Sequence, residues 1–308
     1  MFLTHGLNEH DELVPVEDVS SGRVPLTCPY CGQSLIARKG RVLAWHFAHD
    51  GETCREVAQG SEWIEVPFVD RFDLGLSKRI FESLTAVRNA LPYGNPRTLE
   101  SLGYAEFNQW ARGGRGDWQL TQLGKIPFGD ATLSAFAEIQ RENIAQKHEW
   151  LFSAVELAAR YDHLDYLTAV TDLRLYRAQL ARLLAASLYL MEVTAGDGRK
   201  LYKIGLTGRG AAHRAVEVQA ALRPFLGAVK VRPLRVLAGR GLVERYALHR
   251  WRECCHPIGK MGEFFEFEDR RHVLAEFTRL GDLDPTELER DIMAAPGVVV
   301  DTAVEGVA

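Results

Sequence analysis

The strongest constraint on this chain lies between Ser187 and Gly205, in SLYLMEVTAGDGRKLYKIG. Leu188 to Val193 and Leu201 to Leu206 are short apolar runs separated by Gly196, Asp197 and Gly198, a pattern that predicts a β-hairpin. Tyr189 falls in its first strand, and Tyr202 and Lys203 in its second. Thr207, Gly208, Arg209 and Gly210 follow, then a run from His213 to Leu222 that can be helical, with Arg214 near its start. Further on, Glu244 stands in GLVERYALHRW with His249 behind it, and Gly262-Glu263-Phe264-Phe265-Glu266-Phe267 closes the region.

In this order the features resemble the GIY-YIG nuclease superfamily, in the branch where Y-L-M stands for the first motif and K-I-G for the second. The resemblance covers Ser187 to Glu268. It implies a small antiparallel sheet flanked by helices and a metal-dependent DNA endonuclease. Phosphodiester hydrolysis needs an in-line water, a group to take or orient its proton, and cations on the developing charge.

The resemblance gives Tyr189 the water, and a phenol with its ordinary pKa of about 10 acts as a base only if positive charge lowers that value. It gives Arg214 the scissile phosphate, which a planar guanidinium grips by paired hydrogen bonds. Glu244 receives a divalent ion, Mg²⁺ or another, which needs few protein carboxylates. The second-motif tyrosine position holds Lys203, with Tyr202 adjacent. Neighbours on a strand face opposite ways, so one of the two enters the site, and Lys203 is favoured because it can stabilise phosphate charge. Arg214 lies one residue further from Gly205 than the family pattern has it, so Arg209 is the reserve and His213 an alternative for proton transfer. On a helix, Arg245, His249 and Arg252 would share a face beside Glu244, with His249 among the catalytic candidates and Arg209, His213, Arg245 and Arg252 facing nucleic acid.

Near the N-terminus, TCPYCGQSLIARKGRVLAWHFAHDGETC places Cys28 and Cys31 at the spacing of a zinc knuckle. His46, His49 and Cys54 compete for the two remaining places. The preferred set is Cys28, Cys31, His49 and Cys54, with His46 as substitute or as support for a ligand. Through C-P-x-C-G, Arg38-Lys39-Gly40 and the H-F-A-H of His46 to His49, the segment also resembles the N-terminal zinc finger of competence-protein (CoiA-like) sequences. That implies a structural zinc module able to touch DNA. The restriction-like nuclease pattern that follows the finger in those proteins is not found after Glu62, so that activity is not carried over. Five cysteines, clustered as Cys28/Cys31/Cys54 and Cys254/Cys255, suit a metal site better than a disulfide framework, the second pair being read as packing residues.

The net charge of -4 hides a division, because residues 187–272 hold 16 Lys and Arg against 9 Asp and Glu. The basic part is the part with the nuclease pattern, as a phosphate-tracking surface requires. Apolar runs are too short for a membrane span and the N-terminus is polar, so no membrane association and a cytoplasmic location are expected.

Between these ends the pattern is helical: Phe68 to Ala90, Leu99 to Trp110, then WQLTQLGKIPFGDATLSAFAEIQ, read as a helical connector with helix-turn-helix, turning at Pro127-Phe128-Gly129, as the alternative. Leu133 to Arg160 puts Leu151, Ala154, Val155 and Ala158 on one face, and a second helix does the same with Leu173, Tyr176, Leu180, Leu183 and Leu184. The two would pair as a helical hairpin across Tyr161 to Leu164, or form a homodimer interface. Arg270 to Gly281 is expected to be a helix and the tail from Pro285 to be loosely ordered.

The expected architecture is α+β: a zinc finger over residues 1–60, a helical middle over 61–186, a GIY-YIG-type α/β domain over 187–284 and a tail over 285–308. The expected function is DNA cleavage, in foreign-DNA defence, mobile-element biology or repair. The alternatives are a DNA-binding or regulatory protein with an inactive nuclease fold, and an oligomerisation core with small appendages.

Overall fold

A computed structural model describes residues 3–40, 43–54, 72, 75–91, 94–111, 116–161, 164–259 and 261–297. The chain divides into two compact units, one of residues 1–72, 144–182 and 285–308, the other of residues 73–143 and 183–284. The architecture is mixed α/β, with a small N-terminal sheet, helices in the middle and a second sheet with helices towards the C-terminus.

The first unit carries five short strands, β1 (His5–Leu7), β2 (Leu13–Pro15), β3 (Gly22–Thr27), β4 (Ser34–Arg38) and β5 (His46–His49), in the order β2-β1-β3-β4-β5. Alternation along β4 and β5 sends Leu35, Ala37 and Phe47 inward, where they pack with Leu3, Val16, Leu26 and Cys28. The long helices Ala135–Arg160 and Tyr166–Ala185 bury the stripes expected of them, Leu151, Val155 and Ala158 on one and Leu173, Tyr176 and Leu180 on the other. They meet as a hairpin within this unit: the Tyr176 hydroxyl donates to the Ile144 carbonyl at 3.3 Å.

The tail differs from expectation. Glu287–Ala294 is a helix, begun by Thr286 and Glu289 in a reciprocal capping box and anchored by buried Ile292. Residues 298–308 lie outside the described part.

The second unit contains β6 (Ala105–Asn108) and β7 (Asp117–Leu120), an antiparallel pair, where a continuous helix from Leu99 was expected. The helix Pro96–Ser101 stops before Gly103, whose φ of 75° leaves the helical path, and Ala105 then pairs with Leu120. The stretch after it is not helical throughout: it begins in β7, one helical turn, Gln122–Lys125, passes into a tighter turn, Ile126–Phe128, and the helix Ala135–Arg160 follows. Of the expected helix Phe68 to Ala90, Lys78–Arg88 is helical, while residues 68–71, 73 and 74 are outside the described part.

The sheet that positions the site holds β8 (Ser187–Ala195), β9 (Lys200–Thr207), β10 (Val229–Leu237) and β11 (Phe264–Phe265) in the order β10-β8-β9-β11. All its pairings are antiparallel, and the hairpin pairs Tyr189 with Gly205 and Met191 with Lys203. Odd-numbered residues of β8 and β9 therefore share one face. The helix Ala211–Leu226 covers it, packing Ala215 on Tyr189 and Met191, and Val218 and Leu222 on Val193, Leu201 and Phe264. The helix Arg271–Leu280 follows the sheet, within one residue at each end of the expected span. Among the described residues no helix is long and apolar enough to cross a membrane.

Candidate functional site

Two groups of side chains stand out, one in each unit. In the first, Cys28 follows the last residue of β3, the chain turns so that the Gly32 N–H donates to the Cys28 carbonyl at 2.9 Å, and Cys31 comes back beside it. The Tyr30 and Cys31 N–H groups point at the Cys28 sulfur, which favours its anionic form, while burial pushes the thiol the other way, well above its ordinary value. Buried charge of that kind is stable only beside a cation.

His49 sits at the end of β5, where alternation turns it inward with Phe47 and turns His46 outward with Ala48. Strand geometry thus decides between the two histidines, and His46 is outside the group, its Nδ1 at 2.9 Å from the Ala44 carbonyl. Burial lowers the pKa of His49, keeping a neutral ring suited to ligation. The ligand atoms of Cys28, Cys31, His49 and Cys54 all lie within 4.8 Å of one another, with Cys28 Sγ to Cys54 Sγ at 4.0 Å and Cys31 Sγ to His49 Nε2 at 3.4 Å. Tetrahedral zinc bonds would separate two sulfurs by about 3.8 Å and a sulfur from a nitrogen by about 3.6 Å. Three thiols and an imidazole at these separations could bind zinc. Four protein ligands close the coordination, so the site suits structure rather than catalysis.

In the second unit the hairpin, the Ala211–Leu226 helix, the helix Glu244–Arg250 and the residue before β11 bring five side chains together. Tyr189 is buried in β8 and lies over Gly205; a Cβ there would stand 2.5 Å from its hydroxyl oxygen, so this position admits only glycine without displacement. Arg214 donates from its guanidinium to that hydroxyl, and also to Glu217 at 2.7 Å. Glu244 accepts from the Leu206 N–H at 3.0 Å, which fixes its carboxylate at the edge of β9. Lys203 is buried, with its ammonium on the Glu263 carboxylate and 4.9 Å from the Phe264 ring centre. The pairing of Phe264 with Lys203 across β11 and β9 brings Glu263 there.

These groups act on one another. Burial, followed by repulsion from Glu263, pushes the Glu244 carboxyl up to about 7, against the pull of Lys203, the Leu206 N–H and Arg245. Burial also raises the pKa of Tyr189, and the Arg214 hydrogen bond and charge offset that only in part. The phenol therefore keeps its proton at neutral pH. Burial works against the charge on Arg214, yet its bonds to Glu217 and Tyr189 hold its pKa above the ordinary value.

Arg209 and His213 join Arg214 around one acid, reaching Glu217 at 3.3 Å and 3.1 Å. Neither Glu217 nor Glu263 was among the residues expected from sequence. For Glu217 the signal was present as the i, i+3 and i, i+4 spacings from Arg214 and His213. For Glu263 it was the G-E-F-F ending itself.

His249 belongs elsewhere. Its ring stacks on Phe81 with centres 4.2 Å apart, and burial lowers its pKa against a hydrogen bond with the Leu76 backbone. Arg252 lies over the same Phe81 ring at 4.9 Å and donates to the His249 carbonyl at 3.0 Å. The helix ends at Arg250, so Arg252 shares the His249 face through a tighter turn rather than along a helix. Arg245 follows Glu244 and acts on its charge. Cys255 donates its thiol to the Gly262 carbonyl at 3.2 Å.

Comparison with known proteins bears on the first group. Residues 16–56 match the family described as Competence protein CoiA, N-terminal domain, a span that contains all four clustered ligands. No curated protein matches the chain, and no solved structure matches it.

Proposed function

We propose that the second unit is a GIY-YIG-type endonuclease that hydrolyses phosphodiester bonds of DNA, and that the first unit carries a structural zinc site. The observation that carries the nuclease reading is the meeting of Tyr189, Arg214 and Glu244, drawn from a strand and two helices, with Lys203 and Glu263 beside them. Arg214 would hold the scissile phosphate while its bond to Tyr189 keeps the phenol aimed at the attacking water. Glu244, with Glu263 next to it, would hold a divalent cation, and two neighbouring carboxylates that repel each other suit one. That ion would supply positive charge to the phosphate oxygens. Lys203 would shift from Glu263 to the charge that develops on phosphate. DNA defence, mobile-element biology and repair are all processes such an enzyme could serve.

A second reading, a DNA-binding or regulatory protein with an inactive nuclease fold, is favoured by one contact: Arg214 is already engaged by Glu217. A plasmid-nicking assay with Mg²⁺ separates the two. The nuclease reading expects nicking by the unaltered protein, and a loss of at least about a hundredfold in Glu244→Ala and Tyr189→Phe. Equal cutting by all three refutes the assignment, and binding without cutting by any supports the regulator.

A further inference from the structure

The face of the sheet opposite Tyr189 holds a group of charges that the proposed chemistry does not use. Glu192 is 2% exposed in its side chain, yet three cations converge on it. Arg232 donates from Nε at 2.8 Å and from a terminal nitrogen at 2.7 Å, Arg270 donates from the start of the helix Arg271–Leu280, and Lys200 stands 4.0 Å away. Solvent meets the cations and not the acid: the side chains of Lys200 and Arg232 are 53% and 55% exposed.

The register extends the group. Lys230 and Lys200 both pair with Thr194, and Thr194 lies two residues from Glu192, so all share one face. Regular alternation would send Arg235 to the face opposite Arg232. The irregularity between Pro233 and Arg235 sets Arg235 opposite Leu190 instead, back on the Glu192 side, and its Nε reaches the Thr278 hydroxyl at 3.5 Å. Asp269, close in sequence to Arg270, is taken up by Arg271 at 2.9 Å. Five cations thus share the face of one buried carboxylate, three of them around it.

We propose that this face is a second contact surface for the phosphate backbone of duplex DNA, separate from the cleavage site. From Thr194 to Leu190 the row of partners runs four residues, about 14 Å along the strand. One small anion cannot touch cations spread over that length, whereas a backbone carrying a charge on every nucleotide can. The buried acid holds Arg232 and Arg270 in place beforehand, so less side-chain freedom is lost when phosphate arrives. This inference rests on the reading of the partner as DNA but not on cleavage.

The test uses the full chain and a short fluorescent duplex, with binding followed by anisotropy in the absence of divalent metal between about 50 and about 200 mM salt. Lys230→Gln/Arg235→Gln removes two cations that are exposed and do not hold Glu192. It is expected to lower the slope of log K against log salt by about 1.8, and each single substitution by about 0.9, with melting temperature unchanged. At about 0.1 M salt the double variant binds about tenfold to a hundredfold more weakly. An unchanged slope and affinity overturn the proposal, as does binding to anionic vesicles but not to the duplex. A reduced slope in a protein that never nicks DNA upholds this surface and removes the nuclease reading. Nicking with an unchanged slope does the reverse.

Discussion

Replacing Gly205 with alanine is a sharp local test of how the hairpin builds its site. The added Cβ would stand 2.5 Å from the Tyr189 hydroxyl oxygen and 2.7 Å from Cζ, and 3.4 Å is where ordinary contact begins. The phenol must therefore move by about 0.9 Å or more, and the buried ring has little room to do so. Overpacking of this kind costs about 1–3 kcal/mol, and a displacement of about 1 Å in a catalytic group lowers its rate by about a hundredfold. Chemical denaturation measures the first quantity and plasmid nicking the second. Tyr189→Leu relieves the crowding, so Gly205→Ala should cost less in that background by about 1 kcal/mol or more. Additive losses in the double variant, or a Gly205→Ala protein as stable as the original, would refute the claim that this glycine exists to admit the phenol.

Other consequences follow from the same physical arguments. Cys28→Ser should release about one zinc per chain and lower the melting temperature of the first unit, as measured by metal analysis and calorimetry. His5 is buried with its pKa lowered to about 3, first by burial and then by Arg182. The unfolded chain takes up this proton near pH 6.5 and the folded chain does not, so the stability it guards is complete above that pH and declines as pH falls towards 3, by up to about 5 kcal/mol. His5→Asn should remove that part of the acid sensitivity in urea titrations. Glu217→Gln releases Arg209, His213 and Arg214 from their shared acid and should tighten duplex binding in anisotropy measurements; weaker binding would count against a phosphate-facing role for the three.

The hairpin at Ser187–Thr207 was legible because its signals are local: alternating apolar residues and a turn of Gly196, Asp197 and Gly198. The Cys/His cluster was legible up to one ambiguity, since spacing supplied five candidates and only the inward and outward alternation of β5 separates His49 from His46. The β6–β7 pair was not, because a strand preference at Ala105–Asn108 takes effect only with a partner beyond Gly116. The surroundings of His249 were not legible for a similar reason. Its partner Phe81 is far away in the chain, and its spacing from Arg245 and Arg252 was satisfied by ring stacking as well as by any site. The tail helix could have been read, as Thr286 and Glu289 form the signature of a capping box.

The most direct test of the central claim is a structure of the Tyr189→Phe protein with duplex DNA and Mn²⁺, located by its anomalous scattering. The account predicts a metal peak on the Glu244 carboxylate, with a backbone phosphate between it and the Arg214 guanidinium. Metal bound only elsewhere, or a duplex that leaves Arg214 on Glu217 and touches neither group, would contradict it.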